Sequence, residues 1–248
     1  MSLSRYLRER AYRELYEVED RHWWFRGRRR VVEALLARTE LPARPRILDA
    51  GCGTGGNLGR YARLGEAVGV DPSPDAVRFC RERGLASVHE AGVEELPFED
   101  GSFDLIASTD VLEHVPDEGG ALRELRRVAA PGGVLLLTVP AYMWMWSRED
   151  DDLHHQRRYT RARLRAAVEG AGWSTEVATY FNSILLAPMT AVRLLGKWLD
   201  KERSDLELTP SWLDGPLSTP MRLEARLIEA GLSLPAGGSV GLVCRNLG

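Results

Sequence analysis

Cysteine is scarce in this chain: Cys52, Cys80 and Cys244 are the only three in 248 residues. They form no C-x-x-C pair and cannot all pair with one another, which suits a reducing compartment, so a cytoplasmic location is expected. Charge of one sign is missing too. Lys and Arg number 33 against 36 Asp and Glu, a net charge of -3, so no long-range field gathers polyanions and nucleic acid is not an expected partner, local basic residues from Arg26 to Arg30 notwithstanding. Long apolar runs are absent as well. The longest weakly charged stretch, Val177 to Val192, is shorter than the roughly 20 apolar residues of a bilayer span and contains Asn182 and Pro188. No transmembrane span is expected, whereas peripheral contact with a membrane or lipid stays open. The first two dozen residues are charged throughout and lack the apolar core of a signal peptide. No internal repeat and no low-complexity segment occurs, and monomer and homodimer are both compatible with the sequence.

What is there reads as one α/β domain with embellishments. Leu3 to Asp20 and Arg28 to Arg38 carry apolar residues at helical spacing, predicting two helices ahead of the first strand. From Pro45 onward, short apolar runs at 46–49, 67–71, 103–108 and 134–139 alternate with helical segments, the pattern of parallel strands buried on both faces. A helix over Thr160 to Ala171, a strand at 174–180 and a final strand at 239–244 follow. Between the last two strands lies an apolar insertion with a helix expected over Ile184 to Leu199. The expected organisation is a helical cap at 1–40, a core at 41–180 and 221–248, and an insertion or lid at 181–220.

The strongest local signal is Ile47 to Asn57, a glycine-rich turn between a strand and a helix. Gly51 and Gly53 let the backbone turn sharply and approach a ligand, and the helix behind them offers free N–H groups. Asp71 ends the second strand, where a carboxylate can accept both hydroxyls of a ribose. Asp49, just before the glycines, favours a ligand carrying an ammonium or sulfonium over one carrying a pyrophosphate. The pair points to S-adenosylmethionine as cofactor.

The order of motifs adds to this. AspAlaGlyCysGlyThrGly at 49–55, ValGlyValAspProSerPro at 68–74, the segment 94–106 with AspValLeuGluHisValProAsp at 110–117, and the segment 125–140 together resemble the class I S-adenosylmethionine-dependent methyltransferases, in the type 11/23-like branch that includes the ubiquinone and menaquinone methyltransferases. The resemblance covers about residues 45–180. It implies a Rossmann-like, doubly wound, seven-stranded, mainly parallel sheet with an antiparallel last strand. It also implies a cofactor site drawn from Trp24, Arg29, Asp49, Gly51, Gly53, Asn57, Asp71, Pro72, Gly92, Val93, Glu94, Asp110 and His114. One departure stands out: Gly92 occupies the place where the family often has an Asp that meets the adenine amino group, so backbone near Val93 is left to make that contact.

Methyl transfer from a sulfonium needs alignment and exclusion of water more than acid–base help. A general base is required only where the acceptor must lose a proton. His114, just past the strand at 103–108, is the first catalytic candidate. Residues 142–160 mix Tyr, Met and Trp with charges; a subset of bacterial methyltransferases shows a similar pattern, matched here by Trp146, Ser147, Asp150, His155, Arg157, Arg158, Tyr159 and Thr160, which adds His155 and Tyr159 as catalytic candidates. The same subset has an N-terminal block resembling His22 to Arg29, an aromatic wall that could equally be packing. No metal is expected, because adjacent residues such as His154 and His155 point to opposite sides of a strand and no third spaced ligand is evident. The expected function is methylation of a small-molecule acceptor, apolar or long-tailed. The alternatives are a catalytically silent binding subunit or a nucleic-acid methyltransferase, and against the latter the chain has AspValLeuGlu where a proline-rich motif is common.

Overall fold

The computed structural model describes residues 12–191 and 211–248. Helix α1 occupies residues 12–18 of that range; the expected helical stretch over residues 3–11 and the insertion beyond residue 191 up to residue 210 lie outside the described residues. A seven-stranded sheet follows, in the order β3-β2-β1-β4-β5-β7-β6. Its strands are β1 (Arg46–Ala50), β2 (Glu66–Asp71), β3 (Val88–Glu90), β4 (Phe103–Thr109), β5 (Ala129–Pro140), β6 (Ser174–Phe181) and β7 (Ser239–Arg245). Neighbouring strands from β3 across to β5 pair parallel, and β7 runs antiparallel between β5 and β6.

Side chains alternate across the pleat and fill two cores. Leu48, Ala50, Ile106, Leu135, Leu137 and Leu242 face one side, packed by α5 (Glu118–Val128) and α7 (Arg161–Gly170). Ile47, Leu105, Ala107, Leu136 and Val243 face the other, covered by α2 (Trp23–Leu36) and α9 (Asp214–Glu229). At about 25 cal/mol per Å² of apolar surface, these two layers are the main stabilising force of the domain. A short α3 (Leu58–Tyr61) follows the glycine-rich turn, α4 (Pro74–Glu82) flanks β2 and β3, α6 (Arg148–Asp152) lies in the loop after β5, and α8 occupies residues 186–191 of the described range.

Two boundaries differ from the expectation. Helix α2 starts at Trp23, five residues ahead of Arg28, because the His22 side chain accepts from the Trp24 N–H and Asp214 accepts from the Trp23 N–H at 3.0 Å; both satisfy donors a helix leaves free at its start. Position 220, expected to close the insertion, falls inside α9. Pro220 is the seventh residue of that helix, inside it, and the next residue, Met221, is fully buried against Gly27. The segment after Asp214 therefore belongs to the core layer. Among the described residues, no helix is long and apolar enough to cross a membrane.

Candidate active site

The carboxyl ends of β1, β2, β4, β5 and β6 open on one edge of the sheet. The turn after β1 is pinned there, with the Gly51 and Cys52 N–H groups both donating to the Val70 carbonyl, at 2.8 and 2.9 Å. Gly51 has φ +83°, and a Cβ on it would strike Val111; Gly53 has φ +53°. Gly53 N–H donates to Asp71 Oδ2 at 3.0 Å, and Ser73 N–H to Asp71 Oδ1 at 2.9 Å. Burial pushes the Asp71 carboxyl above its ordinary range although these bonds oppose it.

Asp49 is 1% exposed, and neither of its oxygens has a hydrogen-bond partner among the described residues. Burial pushes its carboxyl up to about 7, with Arg28 opposing and Glu19 and Asp71 adding. A carboxylate held this way is a cost to the fold unless a cation comes to it. Cys52 and Cys80 are buried behind the turn with 3.9 Å between their sulfurs, so Cys52 is a small filler there.

Strain gathers at the same edge. Asp110 after β4, Tyr142 after β5 and Asn182 after β6 all have φ between +56° and +58°, a conformation that costs a non-glycine residue of order 1–3 kcal/mol and concentrates at functional sites. Asp110 is held there by its own contacts: Thr138 donates to Oδ1 at 3.0 Å, and the Arg28 guanidinium pairs with Oδ2. Burial alone would lower the Arg28 pKa, and Asp110 more than offsets this.

Arg28 was not among the sequence candidates. Arg29 was, and the structure turns it elsewhere: it is buried and donates to the Glu19 carbonyl at 2.6 Å, tying α2 to the end of the N-terminal helical segment. Trp24 likewise stacks on Phe181 with centroids 6.3 Å apart and packs with the α2–α9 core. Asn57 donates to Thr109 at 3.2 Å. In the loop after β3, Val93 is buried, Gly92 half-buried and Glu94 exposed, while Pro72 is exposed beside Asp71. Tyr159 is fully buried, and its hydroxyl donates to Glu118 Oε2 at 2.6 Å. Burial and Glu118 push its pKa up, so Tyr159 anchors the loop from within and does not face the mouth.

His114 and His155 do meet at the mouth, their rings 4.5 Å apart and nearly perpendicular. His114 is exposed at its edge, yet desolvation of its ring by the packed loop and the neighbouring His155 lower its pKa to about 4. The 142–160 loop is built around Asp150, which is fully buried. It takes two hydrogen bonds from Arg158, at 2.7 and 2.9 Å, and one from the Ser147 N–H at 2.8 Å, and pairs with His155 Nδ1 at 2.8 Å. Its carboxyl is held well below the usual range by His155 and Arg158, against the effect of burial.

A methyltransferase-domain family model matches residues 48–137, from β1 through β5. Over those residues the chain is similar to class I methyltransferases of the type 11 branch. The domain is similar to the malonyl-[acyl-carrier protein] O-methyltransferase of Enterobacter lignolyticus, 35% identical over 57% of this chain and 60% of that protein. It is also similar to the ubiquinone biosynthesis O-methyltransferase of Xanthomonas oryzae, 40% identical over 43% of this chain and 47% of that protein. The chain thus spans less than two thirds of the length of these curated relatives. A putative sarcosine dimethylglycine methyltransferase from Galdieria sulphuraria shares the fold, with TM-score 0.61, 18% identity and coverage of 96% of this chain and 97% of that one.

S-adenosylmethionine is the cofactor of this methyltransferase class, and the residues present fit it. The left-handed Gly51 and Gly53 leave room for close backbone approach, Asp71 ends β2 where a ribose is held, and the unpartnered Asp49 supplies the charge that a sulfonium and ammonium call for. The backbone around Val93 lies in the loop after β3. One element beyond the expected set also reaches it. The Tyr12 hydroxyl of α1 hydrogen-bonds Asp71, while Glu19 takes hydrogen bonds from Thr54 and from Arg83. The N-terminal segment therefore straps the glycine-rich turn.

Proposed function

We propose that this methyltransferase transfers the methyl group of S-adenosylmethionine to a small-molecule acceptor that is apolar or carries a long tail. The observation that carries the acceptor class is the rim of the mouth. Met143, Trp144, Leu153 and Ile184 are 49 to 58% exposed, and all sit on segments that follow β4, β5 or β6 or pack beside them. Trp144 stacks on Tyr142, and Tyr142 on Tyr180, with centroids 5.4 and 5.3 Å apart. An exposed apolar rim around a polar centre marks a surface for a greasy ligand.

S-adenosylmethionine, when bound, would supply an already activated methyl group for in-line displacement, with its thioether as leaving group. The chain's own residues do the rest: Gly51, Gly53 and Asp71 orient the nucleoside, Asp49 faces the cationic end, Arg28 and Thr138 fix Asp110 beside it, and His114 and His155 face the acceptor. Alignment of this kind is worth several kcal/mol of barrier. Neither a proline-rich motif after β4 nor a single-sign field favours nucleic acid. The test is turnover with S-adenosylmethionine against paired acceptors that share a head group and differ only in tail length. Rising kcat/KM with tail length, and competition by detergent, support the reading; a small polar acceptor turned over as well as its tailed partner overturns it.

A further inference from the structure

We infer that Glu113, His114 and His155 form a binding site for a divalent transition-metal ion of the zinc kind, at the acceptor side of the mouth. One ligand atom of each residue lies within 4.8 Å of the other two. Glu113 is 1% exposed, and its Oε2 has no hydrogen-bond partner among the described residues. A buried carboxylate oxygen without a partner is costly, and a cation between it and two imidazoles removes that cost.

The two histidines are already held in the way metal-binding imidazoles are held. His114 Nδ1 contacts the Leu153 carbonyl at 3.0 Å, and His155 Nδ1 contacts Asp150 Oδ1 at 2.8 Å. A carbonyl and an ionised carboxylate can only accept, so Nδ1 carries the hydrogen on both rings and Nε2 carries the lone pair. A carboxylate or carbonyl behind each ring fixes its tautomer and orientation and raises its basicity as a ligand. Asp150 is rigid in this role because Arg158 grips both of its oxygens.

The ligand set decides the class of ion. Two imidazoles and one carboxylate suit zinc and its first-row neighbours, whereas magnesium and calcium call for all-oxygen shells. Bond lengths of about 2.0–2.2 Å place tetrahedral ligands roughly 3.3 Å apart, so the three atoms draw together on binding. His114 is exposed and His155 half-buried on the 142–160 loop, so the loop can carry His155 toward Glu113 with its bond to Asp150 kept. A fourth position stays open, as in catalytic metal sites. What fills it, a water or an acceptor oxygen, rests on the acceptor reading above; the binding of the ion does not. Glu113 and His114 fall within the matched residues 48–137 and His155 outside them, so the site is a joint product of the domain and the 142–160 loop.

The experiment uses the full, tag-free chain, stripped with chelator and titrated with Co²⁺ and then Zn²⁺, reading cobalt absorption and heat. The expected result is one ion per chain with visible cobalt bands that zinc displaces. Affinity should fall at least tenfold in each of Glu113→Gln, His155→Gln and the surface variant His114→Gln, with their folds checked by circular dichroism. Absence of stoichiometric binding overturns the inference, and so does wild-type affinity retained in His114→Gln and His155→Gln. S-adenosylmethionine binding by the same wild-type sample separates the two readings: nucleoside binding without metal defeats this inference alone, and metal binding without nucleoside defeats the methyltransferase reading alone.

Discussion

At the scale of single residues, Asp49 sets the pH behaviour of the site. Its carboxyl titrates near 7 in the fold and near 3.9 when unfolded. Below about pH 4 both states hold the proton and the residue contributes nothing. As pH rises from about 4 to about 7, the unfolded chain releases the proton first and the fold is progressively destabilised, by up to about 4 kcal/mol above pH 7. Asp49→Asn should therefore melt higher than wild type at pH 8 and nearly level with it at pH 4; equal melting curves at pH 8 would refute the burial argument. A cationic ligand reverses the balance, since it favours the ionised carboxylate. S-adenosylmethionine binding at pH 6 should release close to one proton, read as a buffer-dependent heat, and the asparagine variant should show none. Gly51 makes a sterically plainer case. Its φ of +83° and the nearby Val111 predict that Gly51→Ala costs about 1–3 kcal/mol and abolishes nucleoside binding, checked by melting and titration. These residues were legible in the sequence because the glycine turn and its two acids sit at fixed offsets in one βαβ unit. Arg28 and Glu113 were not: Arg28 meets Asp110, and His155 meets the adjacent pair Glu113 and His114, only once β4 and the 142–160 loop are folded.

The elements show where periodicity carries information and where it fails. Strands β1, β2, β4 and β5 announced themselves as short apolar runs alternating with helical segments, while β6 and β7 were legible as strand-like stretches near the end of the chain. β3, three residues long with only Val88 buried, has too little pattern to be read. The start of α2 lies ahead of Arg28 because the apolar spacing is plain only from Val31 onward; of the two readings open for Trp23, packing is the one the structure shows, in the α2–α9 core. The 142–160 loop was recognisable by resemblance, but its logic, a buried Asp150 gripping Arg158 and His155, is visible only in three dimensions. Breaking one partner of a buried pair costs about 3–5 kcal/mol. Arg158→Ala should accordingly destabilise the protein by that order in urea unfolding and expose the loop to amide exchange. A loss below about 1 kcal/mol would mean that the pair is not what holds the loop. The strap of α1 yields a parallel expectation: Glu19→Ala, which removes the contacts to Thr54 and Arg83, should speed proteolysis within residues 12–22 and weaken nucleoside binding several-fold.

Across the whole molecule, two cores on either side of one sheet leave a single edge where strand ends, positive-φ residues, buried acids and exposed aromatics coincide. The doubly wound class and the cofactor end of that edge follow from local sequence. The acceptor end does not, since it is assembled from loops distant in the chain whose contacts no periodicity encodes. The central claim is that this edge binds an adenosyl sulfonium nucleoside through Asp71 and the glycine turn. Isothermal titration of the full chain with S-adenosylmethionine and S-adenosylhomocysteine, alongside Asp71→Ala and with NADH as control, tests it most directly. Saturable binding of both sulfur nucleosides, weakened at least tenfold by Asp71→Ala and not shared by NADH, is the predicted result; a folded wild-type chain that binds neither would contradict it.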